Sequence, residues 1–506
     1  MKTFAFALML LSQAVAAAQP KDPPAPLAIT GVTIIDGTGA APQLDMTVLI
    51  VGDRITEIGK AGRVTIPEGA KQIKADGKFL IPGLWDMHVH LEKEFLPQFV
   101  ANGVTGVRHM FSRQGVPGFP SPPAHDWKKE IEAGRMVGPR IVATTRMLDG
   151  LNGTAPVIPG SAIPIRTPDE GRAAVAKMRT DGEDFIKVYP FLKPDAYFAI
   201  LEEAARGPRK LAVAGHVPHA VSAAEASDRG QKSMEHLYGV VLGCSKQEDK
   251  LRKELVSLVD AGAMVRDTLD AAAAWRIQVK ALDSYDEPTA DALFKKFVKN
   301  GTWQVPTLVT RRVWASLNDP KFTEDPRKKT LPPRMRFAWL ATRVEATWKL
   351  RIFGAEVVVK AVEKRFPVLG IWLSEADIEQ QRLLFEGHLR LVKAMHKAGV
   401  PMLVGTDTPV PYCFPGSGVH DELELLVQAG LTPAEALRAA TRNPAEYLDK
   451  LKDLGTVERG KLADLVLLEA NPLDDIKNVR KVHAVVLNGR LLPKATLEKL
   501  ADGKQP

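Results

Sequence analysis

The sequence predicts an α/β fold: a (β/α)8 barrel of the TIM type with a small β-sandwich domain built from both chain ends. Through the middle of the chain, eight short apolar runs alternate with helical patterns, as parallel strands and their crossover helices do. At each end lies a stretch of alternating apolar and polar residues broken by turn signals. One of the apolar runs, IPGLWDMHVHL at 81–91, ends in His88 and His90. Residues i and i+2 of a strand point the same way, so these two imidazoles form a pre-aimed metal clamp. The C-terminal ends of barrel strands are where chemistry is done.

In chain order, Met1–Ala18 reads as a signal peptide: Lys2, an apolar run at 4–11, then small residues before Gln19. The run is too short to span a bilayer. The expectation is an exported protein, periplasmic or secreted, with no stable membrane anchor after cleavage. Residues 27–80 contain LAITGVTIID, DMTVLIVGDRITEIG and KQIKADGKFLIPG, and 456–495 has the same strand-and-turn texture. These two stretches are expected to pair as the composite β-domain, leaving 81–450 for the barrel. Its strands are expected near 83–91, 104–110, 140–145, 185–189, 211–216, 233–237, 305–309 and 402–407, with helices such as 169–180 and 197–205 between them. The gap from Val305 to Met402 is too long for one barrel helix. It predicts a helical excursion over about 310–400, with helices near 336–362 and 375–398, serving as a lid or as an outer helical layer.

The 506 residues are 45% hydrophobic, enough for a large core, and the formal charge of +8 is unevenly spread. Between Arg311 and Arg365 stand 14 Lys/Arg against 6 Asp/Glu, an excess equal to that of the whole chain. With no nucleic-acid motif beside it, this segment reads as a solvated helical surface or a patch that attracts anionic substrates, and no nucleic-acid partner is expected. The two cysteines, Cys244 and Cys413, are too few for a disulfide framework or a Cys-type zinc site, although an oxidising compartment would allow one bridge.

Other strand ends carry chemistry too. Lys187 lies inside the apolar run DFIKVYP, where a free ammonium is costly. It can pair with a carboxylate, snorkel, or react with carbon dioxide to give an anionic carbamate. His216 ends LAVAGH, His236 ends SMEH and Asp407 ends PMLVGTD. Any one of these reads as a satisfied core polar group. Five such strands among eight are hard to obtain by accident.

Together these residues resemble the amidohydrolase superfamily, in its imidazolonepropionase-like and Xaa-Pro dipeptidase (prolidase-like) branch. The resemblance extends to GVTIIDGTG and GVTGVRHM near the start. Near the end it covers HDELELLVQAGLTPAEALRAATRNPAEYL, LGTVERGKLADLVLLEANPL and VVLNGR. Residues 239–400 are only loosely similar, apart from QVPTL. The resemblance implies one metal on His88, His90 and Asp407, a second on His216 and His236, and a carboxylated Lys187 bridging them. Two divalent ions follow, zinc suiting the imidazole and carboxylate donors best. Activated water would then attack a carbonyl, and Asp407 would carry its proton to the leaving amine.

Relatives usually carry Asp where this chain has His109, and Gly where Leu237 and Tyr238 follow His236. Tyr189, Tyr238 and Arg146 are candidate contacts for a substrate carboxylate. His219 and His109 are further candidates for the cavity. His420 matches a common family residue. Cys244 and Cys413 follow strands six and eight, and are candidates for a bridge between mouth loops. The reading is an exported binuclear metal-dependent hydrolase of amide bonds in small carboxylate molecules such as dipeptides or N-acyl amino acids. Rival readings are a cyclic-amide, lactone or ester hydrolase, or a catalytically silent binding barrel. Association into a homo-oligomer is left open.

Overall fold

The computed structural model of the protein describes residues 25–112, 124–151, 160–260, 268–333, 335–336, 339 and 375–505. The expected signal peptide, and most of the helix expected at 336–362, lie outside these residues.

In chain order the strands are β1 (Leu27–Ile34), β2 (Gln43–Val51), β3 (Arg54–Lys60), β4 (Lys71–Lys74), β5 (Phe79–Pro82), β6 (Leu84–Val89), β7 (Val104–His109), β8 (Arg140–Ala143) and β9 (Met147–Asp149). There follow β10 (Ala162–Pro164), β11 (Phe185–Val188), β12 (Ala212–Gly215), β13 (Ser233–Glu235), β14 (Trp303–Val305), β15 (Leu465–Leu468), β16 (Val482–Leu487) and β17 (Arg490–Pro493).

Both chain ends contribute to one eight-stranded sheet, in the order β17-β16-β15-β5-β1-β2-β3, with β4 beside β1. The seam between the ends is the antiparallel pair β15–β5, with Val466 opposite Ile81. Strand β15 is LVLL, buried throughout, because both of its faces are covered. Leu465 and Leu467 join a core with Ile29, Val48, Leu80 and Val486. Val466 and Leu468 point the other way, into the main core with Leu84, Val104 and Val107. That two-residue alternation docks the sheet against the rest of the molecule.

The remaining strands are all parallel to their neighbours. β6-β7-β8 form one sheet and β10-β9-β11-β12-β13-β14 another. The segment Met402–Thr408 connects them without forming a regular strand. Leu403 N donates to Gln304 O on one side; Met87 N donates to Val404 O and Asp407 N to His88 O on the other. The sequence reading expected a strand here. Regular pairing fails because the buried Asp86 carboxylate, not a backbone carbonyl, accepts from Thr406 N at 3.0 Å. Gly405 lets this segment pass, since a Cβ there would stand 2.8 Å from the Cβ of His88 and 2.5 Å from Val305 Cγ1.

The strand expected at 305–309 is displaced to Trp303–Val305, and Leu308–Ala315 is a helix. Leu308 and Val309 are buried on that helix, and a short apolar run does not distinguish the two states. The expected helices occur, with ends set by local chemistry. Pro168–Asp181 begins at Thr167, whose side chain accepts from Glu170 N, and stops at Gly182, φ 88°. Of the excursion, the helix Glu375–Lys397 is described and packs against Leu308–Ala315. Trp339 is buried with its ring 5.5 Å from that of Tyr412 and 5.2 Å from that of Phe414.

Candidate metal centre

The site lies at the C-terminal ends of β6, β11, β12 and β13 and in the Met402–Thr408 segment. His88 is the fifth residue of β6, and His90 follows its last. Their ring centroids are 5.5 Å apart, and both Nε2 atoms approach Asp407 Oδ1, at 3.4 Å and 3.0 Å. His236 Nδ1 stands 3.9 Å from Asp407 Oδ2, and its ring centroid is 4.5 Å from that of His88. Among the described residues, His88, His236 and Asp407 offer ligand atoms all within 4.8 Å of one another.

The backbone is bent to achieve this. Glu235 and Ser233 share one face of β13, and Ser233 Oγ donates to Glu235 Oε1 at 2.7 Å. A regular continuation would turn His236 to the opposite face. Instead His236 and Leu237 adopt φ of 59° and 58°, and the imidazole comes round to the site. Thr307 and Asp407, at φ 48° and 59°, end the neighbouring segments the same way. Left-handed backbone at non-glycine residues costs about 1–3 kcal/mol each and clusters where function over-determines it. Thr307 Oγ1 pairs with His236 Nδ1 at 2.7 Å. Gly215, φ 134°, lets β12 approach β11 so closely that a Cβ would stand 2.1 Å from Val188 O, and His216 follows directly.

His216 is held between two phenol rings, Tyr189 at 4.3 Å and Tyr238 at 4.4 Å, and its ring is 4.8 Å from that of His236. Its buried Nδ1 has no hydrogen-bond partner among the described residues. Lys187 is buried on β11, its Nζ 5.7 Å from the Tyr189 ring centroid. Burial pushes its ammonium down to about 8, although Glu235 and Asp407 oppose the shift. Burial, then the Lys187 charge, hold His216 well below the ordinary histidine range, and His88 likewise. Burial lowers His236 too, against the pull of Asp407. Burial alone would raise Asp407, but His236, His90 and Lys187 outweigh it and keep the carboxyl below its usual range. The result is neutral imidazoles at His88, His216 and His236 beside an ionised Asp407, the protonation state that a divalent ion requires of its ligands. With an orphaned nitrogen on His216, this donor set fits such an ion.

The sequence reading missed the groups that hold these ligands. His88 Nδ1 donates to Glu235 Oε2 at 2.7 Å, which leaves Nε2 free to face the site. Glu235 is in turn held by Arg108 at 2.8 Å, and Arg108 also donates to Tyr447 Oη at 2.8 Å and Met87 O at 2.6 Å. The only sequence signal was Ser233 and Glu235, two polar residues on one face of a buried strand. Asp86 accepts from His88 N and Thr406 Oγ1, tying β6 to the Asp407 segment. Burial raises its carboxyl to about 7.

The other expected residues are dispersed. Arg146 donates to Ala162 O at 2.7 Å. His109 Nδ1 accepts from Leu91 N at 2.9 Å, and its Nε2 pairs with Ser112 Oγ at 3.0 Å. His219 lines a cavity of ≈ 90 Å³ with Tyr238, Arg252 and Trp275. His420 Nε2 donates to Asn102 O at 2.9 Å. A Cys244–Cys413 bridge is not formed: both thiols are free and buried in the main core, where each packs as a small apolar side chain.

Residues 357–492 match the family model described as the amidohydrolase family. Over 104 residues, 20% of this chain and 21% of the relative, the sequence is 38% identical to an ochratoxinase of Aspergillus niger. Over 108 residues, 20% of the chain and 23% of the relative, it is 33% identical to an imidazolonepropionase of Shouchella clausii. These stretches span only about a fifth of those curated relatives. Solved structures share the fold over nearly the whole chain. A bottromycin amidohydrolase covers 95% of this chain and 89% of its own, at TM-score 0.70 and 24% identity. A Xaa-Pro dipeptidase with bound methionine covers 93% and 100%, at TM-score 0.63 and 20% identity. The resemblance of this chain is thus to the amidohydrolase superfamily, in its imidazolonepropionase-like and prolidase-like branch.

Proposed function

We propose that the protein is an exported, binuclear metal-dependent hydrolase that cleaves amide bonds in small carboxylate molecules, dipeptides or N-acyl amino acids. The observation that carries this reading is the convergence of His88, His90 and His236 on one carboxylate, Asp407. We read the two parallel sheets, joined through Met402–Thr408, as one (β/α)8 barrel with the composite sheet docked beside it.

His88, His90 and Asp407 would hold one ion, His216 and His236 the other, and a carboxylated Lys187 would bridge them. Lowered to about 8, the Lys187 amine is neutral often enough near neutral pH to react with carbon dioxide. When bound, divalent ions here would lower the pKa of water towards ~7 and polarise a carbonyl oxygen. The chain supplies the rest. Glu235 fixes the tautomer and aim of His88, and Thr307 holds the ring of His236 in place. Asp407 Oδ1, kept ionised by its cationic and imidazole neighbours, accepts the proton of the attacking water and returns it to the leaving amine. Tyr189 and Tyr238, stacked on His216, exclude water from one wall of the site.

The test is a hydrolysis screen of dipeptides and N-acyl amino acids on mature protein, before and after dialysis against a chelator. The reading predicts amide cleavage that is lost on chelation and restored by zinc. Cleavage confined to cyclic amides, lactones or esters would replace the substrate class, and no chelator-sensitive cleavage at all would leave a binding barrel.

A further inference from the structure

Among the described residues of the basic segment that begins at Arg311, Arg311 itself differs from the arginines near it. Arg312 and Arg327 both pair with Asp421, at 3.1 Å and 3.0 Å. Arg311, on the helix Leu308–Ala315, is 8% exposed, and no carboxylate among the described residues forms an ion pair with it. Its guanidinium carbon stands 6.0 Å from the ring centroid of Tyr238. Tyr238 in turn stacks on His216, and Arg311 feels the charge of Asp407. The free cation therefore sits one ring away from the candidate metal centre.

A second element, packed against that helix, carries an unpartnered buried group. His388, on the helix Glu375–Lys397, is fully buried, and neither ring nitrogen has a hydrogen-bond partner among the described residues. Its helix packs against Leu308–Ala315, which carries Arg311, and the Arg311 charge adds to the burial that depresses the imidazole. Gln381, two turns earlier on the same helix face, is 1% exposed, and both its side-chain polar atoms are also unpartnered. A buried guanidinium without an anion is costly, and buried polar atoms are almost always hydrogen-bonded. A planar carboxylate would compensate the guanidinium, since it matches the guanidinium fork and accepts from one imidazole N–H.

We propose that Arg311 and His388 form a subsite for the substrate carboxylate. This assignment rests on the amide-hydrolase reading and narrows its substrates. The carboxylate binds towards the helices at 308–315 and 375–397, and the scissile carbonyl lies towards Asp407. N-acyl amino acids and dipeptides carry both groups, whereas amides lacking an acid leave Arg311 uncompensated.

Binding, measured apart from turnover, tests this. Zinc-loaded protein would be titrated calorimetrically with N-acetyl-leucine, N-acetyl-phenylalanine and N-acetyl-proline, and with the N-methylamide of each. The wild type is expected to bind at least one acid about ten-fold or more tighter than its amide, the scale of a charged hydrogen bond. Arg311→Met should abolish that preference and Arg311→Lys should keep part of it. If Arg311→Met does not fold, as judged by its thermal transition, Arg311→Lys must still weaken the preference. No preference in the wild type, or an undiminished one in the variants, overturns the assignment. A protein that prefers the acids but cleaves none of them keeps the subsite and loses the hydrolase reading.

Discussion

The imidazole of His88 and the carboxylate of Glu235 meet at 2.7 Å, Nδ1 to Oε2, with neither side chain more than 1% exposed. Two strands, β6 and β13, are thereby locked through a ligand and its orienting acid, and Arg108 fixes the acid from β7. Replacing Glu235 with Gln should remove the orientation of His88 and lower metal affinity about 10–100-fold. It also leaves the Arg108 guanidinium without its anion, so the melting temperature should fall as well. Metal retained against a competing chelator, compared between variant and wild type, checks the first effect. Equal retention would make Glu235 a purely structural partner of Arg108.

Asp407 is expected to move the proton in the reaction, because it contacts His88, His90 and His236 and remains ionised. Asp407→Asn should lower kcat on an amide substrate by roughly 10²–10⁴. A loss smaller than tenfold, with metal still bound, would assign the proton transfer elsewhere.

At Gly405 the packing leaves no room for a methyl group: His88 Cβ and Val305 Cγ1 would lie 2.8 Å and 2.5 Å from it. Gly405→Ala should therefore destabilise by about 1–3 kcal/mol, read from the denaturant midpoint at constant slope. An unchanged midpoint would show that Met402–Thr408 is looser than the hydrogen bonds around it imply.

Glu422 gives a stability dependence on pH. Its carboxyl accepts from Leu308 N at 2.9 Å and Val309 N at 2.7 Å, yet burial outweighs both and raises it to about 8. Between roughly pH 4.5 and 8 the folded protein keeps a proton that the unfolded chain has released. The folded state binds more protons, so this group favours folding at the acid end and its contribution falls as pH rises to about 8. The slope is at most about 1.4 kcal/mol per pH unit. Across that window the unfolding free energy of wild type should fall relative to that of Glu422→Met as pH rises; parallel curves would refute the assignment.

The sequence carried the apolar runs and the residues that end them, because strand alternation and burial leave a period-two signature. His88, His90, His236 and Asp407 could be read that way, and the structure brings them together. The supporting groups could not. Glu235 and Asp86 reach across to residues 147 and 320 positions distant, and nothing local in SMEH or LWDMH announces a partner so far along the chain. The strand expected at 305–309 was misplaced because Leu308 and Val309 are equally apolar on a helix. Arg311 was hidden inside a basic run, and only the pairing of its neighbours with Asp421 sets it apart.

The most direct measurement is metal content per chain, by atomic emission, on mature protein purified without chelator in bicarbonate. The account predicts about two equivalents, falling to about one or fewer in Lys187→Ala, since the carbamate bridge would be lost. A folded wild type that holds no metal under these conditions would contradict it.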